Sequence, residues 1–235
     1  GVQTCALPIC YRIYKPRFSP YGLDVMGDLR RLANLDEFSV VFDVGANIGQ
    51  TATRYRDVFP AARIFSFEPF PESFSQLKKA TATLANVQIE NLALGRNREK
   101  MSVPLGRDPD SQLNSLLPQN FQPSEKHVEI NVTTVDDYCA THNIAKIDLL
   151  KTDTEGFDLE VVGGAAKLLA NKNIRYVLSE CEFQSITKHR HSSFESLHKL
   201  LDQHDYRLIA VYAEAVSNAG MCYANVLYGS NPPTP

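Results

Sequence analysis

In the stretch SVVFDVGANIGQTATRYRDVFPAARIFSFEPFP, residues 39–71, two apolar runs each stop at a carboxylate, Asp43 in the first and Glu68 in the second. The acids are 25 residues apart, about one strand-helix-strand step, so they fall at the ends of neighbouring strands. Asn91 and Asp153 close two further apolar runs in the same way. Open α/β sheets bind ligands at these carboxyl ends. Gly45 and Gly49 bracket the turn into the first helix, where a missing Cβ lets a ligand approach the backbone. The helix N-terminus beyond favours a carboxylate or phosphate. An acid placed like Glu68 can accept both hydroxyls of a ribose, so the implied ligand is an adenosine derivative.

Two such ligands compete. A dinucleotide asks for G-x-G-x-x-G, but GANIG has Asn47 where the second glycine would meet a pyrophosphate. An acid at Asp43, inside the strand end before the first glycine, instead suits the ammonium of a methionine moiety, directly or through water. The residues therefore favour a sulfonium donor, S-adenosylmethionine.

Strands are expected at 39–44, 62–68, 87–94, 147–153 and 174–183, with amphipathic helices at about 48–58, 71–84, 135–142 and 158–170 between them. That alternation predicts an α/β fold with a mostly parallel sheet and helices on both faces. After a helix at about 192–204, the runs 206–213 and 221–229 are joined by EAVSNAG, a link short enough only for an antiparallel pair. Residues 95–134 interrupt the pattern as a variable insertion with two extra strands, EKMSVPLG and HVEINVTTV, around a polar loop with three prolines. A loop of that length is expected to bind substrate. The predicted organisation is a lead-in at 1–38, with a short helix at about 23–35 that packs on the domain edge or covers its ligand, and a catalytic domain at 39–231.

With 235 residues, 43% of them hydrophobic, the chain can bury a sizeable core, whereas two full domains would be cramped. A formal net charge of -3 gives no general attraction to nucleic acid or anionic membranes. No run approaches the ~18 apolar residues of a membrane span. Five scattered cysteines argue against a disulfide framework or zinc site and fit a reducing, cytoplasmic location. GVQTCALPIC at the start has no signal-peptide pattern and looks like a fragment boundary, and Cys5 and Cys10 are given no role.

The motifs FDVGANIGQ, FSFEPFPESFSQL, NLALG, SLL at 115–117, TTVDDY and, above all, IDLLKTDTEGFDLEVVGGA resemble the FkbM family of S-adenosylmethionine-dependent methyltransferases over residues 40–183. The resemblance implies the class I methyltransferase fold, a Rossmann-like seven-stranded sheet of order 3-2-1-4-5-7-6 ending in an antiparallel hairpin. It also implies methyl transfer, usually to oxygen of a sugar, polyketide or other small molecule. By motif position, Asp43, Gly45, Ala46, Asn47 and Gly49 would hold the methionine end of the cofactor, Glu68 with Pro69 its ribose, and Asn91 and Ala93 would lie near the adenine. Thr152 and Thr154 stand where the family's K-I-D-V-E-G often has apolar residues, while Lys151, Asp153, Glu155 and Gly156 are intact.

With that donor, the protein mainly aligns nucleophile, methyl and sulfur, and a base assists loss of the hydroxyl proton. Asp153 and Glu155 are the first candidates, Glu180 and Glu182 of LSECEF the second, and His127 a third. Each has a plainer reading. Glu155-Gly156 can cap the helix starting near 157. Asp153 with Glu180 would suit a divalent magnesium ion, a reading not favoured here, and no metal site is assigned. His127 and KHRH at 188–191 can be solvated loop residues, and Cys181 a buried strand residue. The favoured function is a small-molecule O-methyltransferase acting on a hydroxylated acceptor. A nicotinamide oxidoreductase and a non-catalytic scaffold retaining the fold are the alternatives.

Overall fold

A computed structural model describes residues 20–104, 116, 126–183, 192–218 and 220–230. The main sheet contains β1 (Val40–Val44), β2 (Arg63–Phe67), β3 (Val87–Glu90), β7 (Ile147–Thr152), β8 (Ile174–Glu182), β9 (Tyr206–Ser217) and β10 (Gly220–Ser230). Its order is β3-β2-β1-β7-β8-β10-β9, parallel except where β10 runs against β8 and β9. This is the seven-stranded, mostly parallel sheet with a C-terminal hairpin expected from the sequence.

Burial on both faces explains the apolar runs. On β1, Val40, Phe42 and Val44 enter one core while Val41 enters the other. The first core is closed by α4 (Val135–Thr141), α5 (Asp158–Gly163), α6 (Ala166–Ala170) and α7 (Phe194–Asp202), through side chains such as Tyr138, Val161, Leu169 and Leu197. The second is closed by α1 (Val25–Leu32) and α2 (Gln50–Val58), which contribute Met26, Leu29 and Tyr55. Gly49 abuts Leu77 and Ala80 of α3 (Pro71–Thr81), so the two helices meet closely there. None of the helices described is long and apolar enough to cross a membrane.

Residues 20–38 pack onto the second core rather than over the carboxyl ends of the strands. Asp24 caps α1 by accepting from the N–H groups of Met26 and Gly27. The buried Asp28 accepts from the Gly22 N–H and from the Tyr212 hydroxyl of β9 at 2.9 Å, joining positions 184 residues apart. Residues 1–19, including Cys5 and Cys10, lie outside the described residues.

Three expected elements differ. The single strand 87–94 divides into β3 and β4 (Ala93–Leu94), because Asn91 turns its amide back onto the Glu68 and Pro69 carbonyls. β4 instead joins β6 (His127–Thr133), which also pairs with β5 (Glu99–Pro104), forming a separate sheet of order β4-β6-β5. The helix expected at 158–170 breaks into α5 and α6 at Gly164, where a Cβ would stand 2.0 Å from the Gly95 carbonyl oxygen. Asp136 then accepts from the Lys167 and Leu168 N–H groups and caps the second piece. The hairpin strands extend through most of EAVSNAG, since cross-strand pairing continues to Ser217 and Gly220. The two extra strands of 95–134 are present as β5 and β6, but residues 105–115 and 117–125 lie outside the described residues.

Candidate active site

The carboxyl ends of β1, β2 and β7 meet around a cavity of about 350 Å³. Its walls include Gly45, Ala46, Asn47, Glu68, Pro69, Ala93, Lys151, Asp153 and Glu155. Asp43 lies fully buried just behind the β1 end and, like Gly49, Asn91 and Glu180, is outside the lining.

The turn after β1 is built for close approach. Gly45 (φ 80°) and Asn47 (φ 48°) are both left-handed, and the Gly45 and Ala46 N–H groups both donate to the Phe67 carbonyl of β2. A Cβ on Gly45 would stand 1.9 Å from the Asp153 carbonyl oxygen. The missing side chain thus serves contact between two strand ends, not only the ligand approach expected from the sequence.

Glu68 is 5% exposed. Its Oε2 accepts from the Asn47 N–H at 3.0 Å and its Oε1 from the Phe70 N–H at 2.9 Å. These bonds fix the carboxylate plane and leave each oxygen able to accept again. Burial pushes Glu68 up to about 7, against the two N–H donors that favour its charge.

The sharpest electrostatic feature is one that motif reading left without a role. Lys151 Nζ lies 3.1 Å from Asp43 Oδ1 and 3.3 Å from Asp153 Oδ2, with only 7% of its side chain exposed. Asp43 and Lys151 are register partners across β1 and β7, so both fall on the row shared by Val41 and Leu149. Burial alone would lower Lys151, but Asp43 and Asp153, with Tyr55 of α2, hold it above its usual range. Burial raises Asp43 and Lys151 opposes that shift. Among the described residues, Asp43 Oδ2 has no hydrogen-bond partner. The signal available in sequence was a lysine inside a buried strand run, which requires a nearby acid.

Asp153, the first base candidate, has 43% of its side chain exposed while Lys151 holds one oxygen. Glu155 follows in a left-handed turn at φ 52°, with Gly156 at φ 103°. It therefore precedes α5 rather than occupying its first turn. Asp158, wholly buried and overlooked in the motif reading, accepts from the Gly156 N–H and is pushed up to about 6 by burial first and by Asp153 next. Glu180, on β8, adds to that shift and so belongs electrostatically with Asp158. Glu182 is buried on the same strand, and its N–H donates to the Ser192 carbonyl. His127 is exposed on β6, paired with Pro104. KHRH at 188–191 lies outside the described residues. Among the described residues, no group of three or more His, Cys, Asp or Glu is arranged to hold a metal ion.

Comparison with known proteins adds lineage to this geometry. The 2-O-methyltransferase NoeI of Sinorhizobium fredii (strain NBRC 101917 / NGR234) is 23% identical over 159 residues, covering 63% of this chain and 65% of that protein. The hexuronic acid methyltransferase AglP of Haloferax volcanii is 25% identical over 142 residues, covering 60% of this chain and 56% of that protein. The chain thus spans less than two thirds of either relative. Among solved structures, an FkbM methyltransferase of Methylobacillus flagellatus KT superposes with a TM-score of 0.53 at 17% identity, covering 81% of this chain and 44% of that one. The magnesium protoporphyrin IX methyltransferase of Synechocystis PCC 6803, solved with bound S-adenosylmethionine, gives 0.50 at 11% identity, covering 88% and 76%. These likenesses establish the fold. The family model described as the methyltransferase FkbM domain matches residues 43–208, more than half of the chain, and the chain belongs to that family.

Proposed function

We propose that this chain transfers a methyl group from S-adenosylmethionine to a hydroxyl oxygen of a small molecule or sugar. The observation that carries this reading is Glu68, a buried carboxylate on the wall of a ligand-sized cavity, with both oxygens oriented by backbone N–H groups and each still able to accept. That arrangement fits the two hydroxyls of a ribose. The cavity volume of about 350 Å³ lies within the small-molecule range of ~300–1,000 Å³. Asp43, with an unpartnered Oδ2 and a lysine beside it, supplies charge at the end suited to an amino-acid moiety.

When bound, S-adenosylmethionine supplies an electrophilic methyl on positive sulfur. The protein's share is alignment, exclusion of water and handling of one proton. Asp153 and Glu155 line the same cavity, so either can take the proton of an acceptor hydroxyl. The names of two relatives, a 2-O-methyltransferase and a hexuronic acid methyltransferase, support an oxygen acceptor of sugar type.

Calorimetric titration with S-adenosylmethionine, S-adenosylhomocysteine and NAD tests the donor, with Glu68→Ala and Asp43→Ala as controls. Binding of the first two is expected, weakened at least ~10-fold in Glu68→Ala by loss of charge-assisted contacts and in Asp43→Ala by loss of the carboxylate that pairs with Lys151 behind the cavity wall. A screen of hydroxylated sugars and small alcohols for methyl transfer then tests the acceptor. Binding of NAD alone would overturn the reading, and transfer only to amines would overturn the oxygen acceptor.

A further inference from the structure

Lys151 is the only buried lysine or arginine among the described residues, and it reaches the cavity wall. We propose that Lys151 is a positioning residue that ties the donor side of the site to its acceptor side, holding Asp43 in place behind the β1 turn while anchoring Asp153 at the cavity. The proposal rests on the methyl-transfer reading above.

Three observations support it. The two carboxylates come from adjacent strands and differ in setting, since Asp43 is sealed from solvent while Asp153 is partly open. The lysine between them pairs with one oxygen of each. The backbones of these strands are also in contact, with the Asp153 N–H donating to the Val44 carbonyl at 3.0 Å and Gly45 packed on the Asp153 carbonyl. A shift in either acid would therefore be transmitted to the turn that lines the cavity. Finally, a buried ion pair is a weak way to stabilise a sheet, because apolar residues of like volume often do as well or better. A lysine kept between two acids at a cavity wall is better explained by what it orients.

The groups facing this lysine are Asp43 from β1, Asp153 beyond β7 and the Tyr55 hydroxyl from α2. Glu68, beyond β2, feels both Asp43 and Lys151. Removing the lysine leaves Asp43 buried without a counter-charge, and the carboxyl then holds its proton to higher pH. Arginine at 151 would keep the charge.

The test uses the full chain with Lys151→Met, Lys151→Gln and Lys151→Arg. Carbon-13 NMR of aspartate carboxyls in the ligand-free protein reads the Asp43 titration directly, and S-adenosylhomocysteine calorimetry reads the site. In Lys151→Met the Asp43 midpoint is expected to rise by at least ~1 pH unit, with binding near neutral pH weakened at least ~10-fold. Turnover is expected to fall in kcat as well as in apparent donor affinity. Lys151→Arg should return the midpoint to near the wild-type value. An unchanged Asp43 midpoint in a folded Lys151→Met protein would overturn the proposal, and Lys151→Gln decides by the same measurement if the methionine variant does not fold. If the wild-type protein binds neither S-adenosylmethionine nor its product, the functional reading fails by itself, and the NMR arm still decides whether Lys151 holds Asp43.

Discussion

Substituting Glu68 by Gln should change how stability depends on pH, and the size of the effect can be worked out in advance. Burial raises this carboxyl from 4.5 to about 7 in the folded chain. Well below 4.5, folded and unfolded chains both keep the proton. Between 4.5 and about 7 the unfolded chain releases it while the folded chain retains it, so rising pH favours unfolding. At about 1.36 kcal/mol per pH unit, the ligand-free protein loses about 2.5 kcal/mol of stability from this group between roughly pH 5 and pH 8. The amide of the Glu68→Gln variant would not titrate. It would present a donor to the Asn47 or Phe70 N–H, at a cost of about 1–3 kcal/mol that does not vary with pH. The Tm of Glu68→Gln relative to wild type should therefore rise by about 5–10 °C between roughly pH 5 and pH 8. Differential scanning fluorimetry across that range measures it. A difference that stays constant within about 2 °C would refute the assignment of the slope to Glu68. Hydroxyl donors from a bound ribose would favour the carboxylate, so ligand binding near neutral pH should release protons, visible as a buffer-dependent calorimetric enthalpy.

Gly45→Ala would place a side chain at φ 80° and 1.9 Å from the Asp153 carbonyl, so thermal unfolding should show a loss of at least about 2 kcal/mol together with weaker S-adenosylmethionine binding. Asp153→Asn should lower kcat by about 10²–10⁴-fold while changing S-adenosylhomocysteine affinity much less, as separate kinetic and calorimetric measurements would show. Thr134 caps α4 by accepting from the Asp137 N–H at 2.9 Å, and Thr134→Ala should cost about 1 kcal/mol in urea denaturation without altering ligand affinity.

The parallel part of the sheet was legible because β1, β2, β7 and β8 are largely buried on both faces and so appear as short runs dominated by apolar residues. Asp43, Glu68 and Asp153 were legible for a related reason, since acids that interrupt such runs mark where strands end. The division at Asn91 was not legible, because its cause is a side-chain bond to carbonyls more than twenty residues earlier in the chain. Gly164 carried no local mark that its backbone would press on Gly95. The Asp43–Lys151 pair depends on register between strands that are distant in sequence, which neither run discloses alone. Asp158 resembled an ordinary first-turn helix acid, and its burial comes from packing around it.

The bond between Asp28 and Tyr212 constrains the order of events as the chain leaves the ribosome. α1 is made before the sheet, yet the surface that receives it includes Tyr212 and Leu227 of the β9–β10 hairpin. It must wait until Tyr212, 184 residues further along the chain than Asp28, has been synthesised. Meanwhile β8 presents an open edge, because its eventual neighbour β10 follows β9 in sequence. An unpaired edge of this kind invites pairing with other nascent chains. Hairpin arrival therefore closes the sheet and completes the seat of the first helix together, and a ribosome stalled before Tyr206 would carry a chain with both surfaces exposed.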